Sequence, residues 1–165
     1  MRAIEDRILA LVYEQYSGKV YLYLYSLCRN SALAQDLMQE TFYRAMLSLG
    51  DGQDVLPWLM KVAKNLFIGE CRKGKWLAEM DAEDLPDGSD VLQTVITGEK
   101  KRRLYTEIQK LPAQEKEAVT LYYFAGLSQM QTALQLGLSY ANVRTLLHRV
   151  RKKLYERLKE DEHGI

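Results

Sequence analysis

The sequence predicts an all-α protein made of two small helical domains, 1–76 and 99–165, joined by an acidic linker over 77–98. Three observations support this prediction. Apolar residues recur every three or four positions through most of the chain, as they do along one side of an α-helix. Glycine- and proline-containing turns separate these stretches. The middle of the chain is rich in acids and poor in apolar residues, which is typical of a tether between domains.

The first domain is predicted to contain four helices. The first is expected to end near Ser17-Gly18, and its apolar face comprises Ile4, Ile8, Leu11, Val12 and Tyr16. The second runs from about Lys19 to Arg29. The alternation of tyrosine and leucine over 21–25 does not indicate a strand, because both residue types are large and mainly apolar.

Turn signals place the third and fourth helices. The third begins after Asn30-Ser31 and is ended by Gly50-Asp51-Gly52. Pro57 suits the first turn of the fourth helix, because the amide hydrogen that proline lacks has no helical partner there. The buried side of the fourth helix is expected to comprise Trp58, Leu59, Val62, Ala63, Leu66 and Phe67.

The second domain is predicted to begin with a helix over 99–110. Leu111-Pro112 ends that helix, because proline disfavours a helical conformation in the residue before it. Another helix runs from Ala113 to Phe124 and is ended by Gly126.

A helix-turn-helix motif is predicted at the end of this domain. Ser128-Gln129-Met130-Gln131 matches a capping box, in which the serine and glutamine side chains satisfy each other's backbone amides. The short helix that it opens ends at Gly137, and Ser139 can cap a last helix that continues to about Leu158. Helix, glycine-containing turn and helix are the parts of the motif.

Charge is strongly segregated along the chain, although the formal net charge is only +1. Bases dominate 61–75 and 144–159, whereas the segment between them carries Glu79, Asp81, Glu83, Asp84, Asp87 and Asp90. Two basic segments separated by an acidic one indicate two contacts with a polyanion, joined by a tether. Charge alone is equally compatible with two solvated helix faces.

Several classes of function are disfavoured. No apolar run approaches the roughly 20 residues needed to span a bilayer, and the acid-containing amino terminus does not match a secretory signal, so we expect a cytoplasmic protein without membrane insertion. Cys28 and Cys71 lack metal-ligand spacing, and His148 and His163 are the only histidines. We therefore expect no metal, no cofactor and no catalysis.

The last helix has two distinct faces. Its apolar stripe, assigned to the core, comprises Val143, Leu146, Leu147, Val150, Leu154 and Leu158. Residues at the amino end of such a helix enter the major groove, so base edges are assigned to Ala141, Asn142 and Thr145, with Ser139 at the start of the helix. Phosphate contacts are assigned to Arg144, His148, Arg149 and Lys152. The alternative is an ordinary solvated basic face.

The fourth helix suggests a second nucleic-acid contact. It carries basic side chains, a side-chain amide and an aromatic ring, which together suit the binding of single-stranded nucleic acid. These residues are Trp58, Lys61, Lys64, Asn65, Arg72, Lys73 and Lys75. Trp58 also lies at helical spacing from Val62, which fits a core position equally well.

Several segments resemble the extracytoplasmic-function (ECF) sigma factors of the sigma-70 family, and the resemblance covers nearly the whole chain. The run from Asp36 to Ala45 is similar to the family signature "DLxQETFxRA", and the run from Trp58 to Lys73 to "WLxxIAxNxxxDxxRK". In the second domain, the stretch from Leu111 to Arg149 follows the carboxy-terminal domain of the family.

The resemblance implies functional roles for named residues. It makes Asp36, Gln39, Glu40 and Arg44 candidate contacts with the core RNA polymerase. The fourth helix and the loop before it would hold a strand of melted promoter DNA, through Asp51, Gln53, Lys61, Lys64, Asn65, Arg72 and Lys73. The helix-turn-helix would bind a more distant promoter element as duplex. Sigma factors of this type are commonly silenced by an anti-sigma partner.

The sequence also departs from the family pattern. The loop over 50–54 is shorter than usual, and Gly69 stands where an aspartate is common. Gln131-Thr132-Ala133 replaces "EIA", and Tyr140-Ala141-Asn142 replaces the usual "xGT" start of the recognition helix. The short loop and the changed start of the recognition helix are expected to alter which bases are bound, and the fold is expected to survive all of these departures.

Two other functions remain open on the residues alone. A helix-turn-helix transcriptional regulator would share the last domain, but such proteins usually carry a ligand or receiver domain, and nothing before Lys75 resembles one. A helical adaptor without DNA binding would not need the observed charge segregation. Binding to core polymerase discriminates a sigma factor from a regulator.

Overall fold

A computed structural model describes residues 2–48, 54–74 and 98–163. The chain divides into two compact units, Met1–Val91 and Leu92–Ile165. All regular elements in the described ranges are helical, which confirms the all-α, two-domain prediction. The predicted linker lies outside the described residues except for Gly98, so the boundaries at 76/77 and 98/99 stay a prediction.

The described residues of the first unit form a bundle of three helices, α1 (Arg2–Cys28), α2 (Ser31–Ser48) and α3 (Val55–Lys73). Each helix packs against the other two. Residues 20–26 of α1 are buried without interruption, so this part of α1 is surrounded by its neighbours. The core side chains of α2 and α3 include Ala34, Leu37, Met38, Ala45, Leu59, Met60 and Ala63.

The predicted break between a first and a second helix is wrong, because α1 continues through Ser17-Gly18. A glycine inside a helix costs only about 1 kcal/mol relative to alanine, and burial of the following turns outweighs that cost. Part of the predicted apolar face of the first half is exposed, although Val12 and Tyr16 are half-buried. Ile8 is 53% exposed and Leu11 is 60% exposed.

The turns of the first unit follow from local hydrogen bonds and glycine. Arg29 adopts a φ of 53°, which turns the chain after α1. The Asn30 side-chain oxygen then accepts a hydrogen bond from the Leu33 amide at 2.9 Å, which caps α2. Pro57 lies in the first turn of α3, as predicted. Gly74, with a φ of 76°, ends α3.

Over residues 98–163, the second unit forms four α-helices and one π-helical turn. They are α4 (Glu99–Gln109), α5 (Ala113–Val119), the π-helical turn (Thr120–Phe124), α6 (Gln129–Leu136) and α7 (Tyr140–His163). Helix α7 packs against α4, α5 and α6. The shared core comprises Ile108, Leu111, Ala118, Val119, Ala133, Val143, Leu146, Leu147, Val150 and Leu154.

Two predicted helix descriptions need correction in this unit. The stretch 113–124 changes from α-helix to π-helix at Thr120, where the Ala125 amide donates to the Thr120 carbonyl five residues back at 3.0 Å. Such a wide turn has no sequence signature, so the spacing of apolar residues did not reveal it. Helix α7 also extends to His163, past the expected end near Leu158.

The start of α6 and the turn between α6 and α7 have the predicted local chemistry. The Ser128 hydroxyl accepts a hydrogen bond from the Gln131 amide at 3.0 Å, and the Gln131 side chain accepts one from the Ser128 amide at 2.9 Å. Gly137 has a φ of 70°, a conformation that strains other residues. The Asn142 amide donates to the Ser139 hydroxyl at 3.1 Å. These contacts confirm the capping box and the cap of the last helix.

We expect Ser128→Ala to lower the free energy of unfolding of the second unit by about 1 kcal/mol, because the Gln131 amide loses its capping acceptor. Chemical denaturation followed by circular dichroism measures this change. Ser128→Thr keeps the hydroxyl and is expected to stay close to the wild type. Equal stability of Ser128→Ala and Ser128→Thr would contradict the role assigned to the cap.

Candidate nucleic-acid interface

Helix α7 presents one buried and one exposed face, as its residue spacing predicted. Val143, Leu147 and Val150 are almost completely buried. All the residues assigned to duplex DNA are exposed along the other side: Ser139, Ala141, Asn142, Arg144, Thr145, His148, Arg149 and Lys152. The structure therefore brings them together on one continuous surface, with short side chains at the amino end and basic side chains further along.

One edge of this surface contacts a buried acid on α5. The Glu115 side chain is only 11% exposed, and one of its carboxylate oxygens accepts a hydrogen bond from Lys153 Nζ at 3.1 Å. The other oxygen lies 3.6 Å from Arg149 Nε. Sequence reasoning missed Glu115 and Lys153, because no local pattern relates a residue of α5 to residues of α7.

The opposite edge of α7 contacts the π-helical turn. Arg151 Nε donates a hydrogen bond to the Tyr123 hydroxyl at 2.7 Å. The guanidinium of Arg151 also lies 5.9 Å from the centre of the Tyr123 ring, within the range of a cation–π interaction. Arg144 lies over Tyr140 at 5.8 Å in a similar way. Arg144 and Arg151 of α7 thus each contact a tyrosine ring.

A second candidate contact surface lies in the first unit, at a cleft between α2 and α3 with a volume of about 450 Å³. Trp58, Asn65 and Lys73 line it together, as their assignment to one site required. Trp58 lines the cleft and is half-buried, so part of its side chain is open to solvent. An aromatic ring beside a side-chain amide and a lysine can hold an unstacked nucleobase.

The other residues assigned to melted DNA lie elsewhere. Lys61 and Arg72 are exposed on α3, and Lys64 is half-buried, but none of the three lines the cleft. Asp51 and Gln53 lie outside the described residues, as does Lys75. The short loop expected at 50–54 is therefore described only at Asp54.

Gly69 also lines the cleft. A Cβ atom at this position would have no heavy atom within 4 Å, so the cleft has room for a larger side chain there. The absence of a side chain leaves this part of the wall open, and negative charge in the cleft comes instead from the adjacent Glu70, which pairs with Lys73 at 3.6 Å.

The candidate polymerase contacts lie on α2. Asp36 and Gln39 are exposed. Glu40 and Arg44 form an ion pair between Oε1 and Nε at 3.3 Å, and Arg44 also lines the cleft. Because these four residues are three or four positions apart, the helix places them along one side.

Neither cysteine takes part in a disulfide. Cys28 is buried, and burial raises the pKa of the Cys71 thiol. In the described ranges, no group of three or more histidine, cysteine, aspartate and glutamate side chains is arranged to hold a metal ion. None of the described helices is both long enough and apolar enough to cross a membrane.

Two family models match the chain, one in each unit. The model for sigma-70 region 2 matches residues 12–77, which include the cleft and the exposed side of α2. The model for sigma-70 region 4 matches residues 101–154, which include the helix-turn-helix and most of α7.

Relatives match over almost the whole chain. It is 36% identical to the ECF RNA polymerase sigma factor SigM of Bacillus subtilis, over 92% of this chain and 97% of SigM. It is 30% identical to the RNA polymerase sigma factor CarQ of Myxococcus xanthus, over 92% of this chain and 89% of CarQ. The sigma factor RpoE of Bartonella quintana, solved with the anti-sigma factor NepR, superposes with a TM-score of 0.63 at 26% identity, covering 94% of this chain and 97% of that one. The chain therefore belongs to the extracytoplasmic-function sigma factors of the sigma-70 family.

Proposed function

We propose that the chain acts as a transcription initiation factor that binds core RNA polymerase, directs it to specific promoters and helps to melt promoter DNA through the surfaces described above. One observation carries this proposal. Two separate units of one chain each present a surface suited to nucleic acid, and the two surfaces differ in chemistry. The second unit offers a helix that fits duplex DNA, and the first offers an aromatic cleft that fits a single strand.

Helix α7 binds the upstream promoter element as duplex. Its amino end, with Ala141, Asn142 and Thr145, enters the major groove, where base edges can be distinguished. The longer side chains of Arg144, His148, Arg149 and Lys152 contact phosphates and set the register. The buried stripe of α7 holds this face outward.

The cleft between α2 and α3 holds an unpaired base of the melted element. Removing a base from the stack costs a few kcal/mol, and stacking on an aromatic side chain returns about 1–3 kcal/mol per base. Trp58 supplies that ring, and Asn65 supplies donors and an acceptor for a base edge. Lys61, Lys64, Arg72 and Lys73 contribute positive charge along α3.

The exposed side of α2 binds the core polymerase through Asp36, Gln39, Glu40 and Arg44. Exposed apolar side chains follow on the same helix and include Tyr43, Met46 and Leu47. Protein interfaces commonly combine apolar and polar contacts in this way.

Other large apolar side chains are exposed on both units, and an anti-sigma partner is proposed to cover some of them. They include Ile8, Leu11, Met130 and Leu134. The solved relative RpoE was crystallised with the anti-sigma factor NepR. We further propose that the chain acts in the cytoplasm and has no catalytic activity of its own.

The direct experiment is in vitro transcription with core RNA polymerase and fragmented genomic DNA, followed by sequencing of transcript 5′ ends. We expect defined start sites that appear only when the purified chain is added. A transcriptional regulator that does not depend on binding core polymerase would bind DNA fragments alone and would not create new start sites. Folded protein, free of any inhibitor, that yields no start site would overturn the proposal.

A substitution in α7 tests the duplex contact. We expect Lys152→Ala to weaken binding of the holoenzyme to a mapped promoter and to flatten the logarithmic salt dependence by about 0.9, because one phosphate contact is lost. Lys101→Ala removes an exposed base from α4 and serves as the control. An unchanged slope for Lys152→Ala, or equal slopes for both variants, would refute the assignment. Fluorescence anisotropy over a series of salt concentrations provides the measurement.

Charge reversal on α2 tests the polymerase contact. We expect Asp36→Lys to weaken assembly with core polymerase by about tenfold, since a rim charge of the wrong sign opposes association. Asp6→Lys makes the same change at an exposed position of α1 and is expected to assemble normally. Native gel shift of the core enzyme with labelled chain measures both affinities. If Asp36→Lys and Asp6→Lys assemble alike, Asp36 does not contact the polymerase.

A further inference from the structure

The ion pairs of Glu115 connect a largely buried carboxylate of α5 to the exposed face of α7. Glu115 belongs to α5, and the burial of its side chain limits the positions that its carboxylate can take. Lys153 Nζ holds one oxygen at 3.1 Å, which leaves the other oxygen directed at Arg149 Nε, 3.6 Å away. The three residues therefore form an ordered chain, Lys153 to Glu115 to Arg149.

The geometry of the guanidinium lets Arg149 serve two partners at once. An arginine side chain has five N–H donors in a fixed, planar fork. Glu115 lies on the Nε side of that fork, and the Arg149 side chain is 62% exposed to solvent. The two terminal nitrogens thus stay available for a phosphate while Nε faces the carboxylate.

We propose that Glu115 is a positioning residue that orients Arg149 and thereby raises the preference of the holoenzyme for promoter over non-specific duplex. This inference rests on the proposed function of α7. An arginine held in its binding orientation loses less conformational freedom when DNA binds. This smaller loss of conformational freedom helps binding only where the position of the protein on the duplex places a phosphate next to the guanidinium of Arg149.

Non-specific binding responds differently to the same carboxylate. Non-specific affinity comes from positive charge near the phosphates, regardless of register. The negative charge of Glu115 lowers that attraction, since it offsets part of the charge of Arg149 and Lys153. This charge effect acts on promoter and shuffled duplex alike, so only the positioning of Arg149 changes the ratio of the two affinities.

The neighbouring acid Glu107 on α4 provides a matched comparison. Its side chain is 12% exposed, and it pairs with Lys110 at 3.2 Å and with Arg157 at 3.9 Å. Like Glu115, it is a largely buried carboxylate shared by two bases, and one of them is on α7. Neither of its partners belongs to the face assigned to DNA.

The experiment compares Glu115→Gln with Glu107→Gln, each in complex with core polymerase. One probe is a duplex with a promoter mapped by in vitro transcription, and the other has the same length and composition in shuffled order. For Glu115→Gln we expect promoter affinity to fall by about fivefold, which corresponds to an ion pair worth ~1 kcal/mol, and no loss of affinity for shuffled duplex. Glu107→Gln removes the same charge and is expected to keep the wild-type ratio of promoter affinity to shuffled-duplex affinity.

A double variant separates positioning from general damage to the fold. In an Arg149→Ala background, Glu115→Gln is expected to have no further effect on the ratio, because the positioned group is already absent. The inference is overturned if Glu115→Gln keeps the wild-type ratio, if Glu107→Gln lowers it equally, or if the effect persists without Arg149. Wild-type holoenzyme that does not prefer the promoter, or Arg149→Ala with full preference, would instead contradict the proposed function.

Discussion

Burial of one stripe of α7 is the constraint on which the second unit depends. Val143, Leu147 and Val150 are removed from solvent against α4, α5 and α6, and each such side chain contributes about 1.5–3 kcal/mol. A helix has only one rotation about its axis that buries this stripe. The same rotation fixes which side chains face outward, so the surface that contacts DNA is a consequence of the core. The capped turn before α7 then fixes where the helix begins.

The first unit is organised around the middle of α1. Residues 20–26 are all buried, and a helix that is buried on every side must be surrounded by other elements. Helices α2 and α3 contribute to that cover and also pack against each other. Their shared cleft is lined by Arg44 and Ser48 from α2 and by Trp58, among others, from α3. Packing around α1 therefore brings an aromatic ring of α3 beside polar residues of α2.

Acids have opposite roles in different parts of the chain. The acidic stretch at 79–90 separates two basic segments and keeps them distinct along the sequence. Glu115, in contrast, lies among bases and is largely buried. A buried carboxylate is costly to leave unpaired, so Lys153 and Arg149 are held beside it. Net charge and charge runs do not distinguish these two situations, because the difference depends on burial and distance.

Local chemistry and periodicity determined most of the fold and much of the candidate site. The stripe of α7, the Ser128 capping box and the Pro57 helix start could be predicted because each depends on residues within a few positions of one another. Tertiary structure decided what depends on distant residues. Burial of residues 20–26 favours the continuation of α1 through Gly18. The hydrogen bond between Tyr123 and Arg151 joins the π-helical turn to α7. The contact of Glu115 with Arg149 and Lys153 requires α5 and α7 to meet. No local pattern in the sequence encodes those distances, because they arise only when the helices pack.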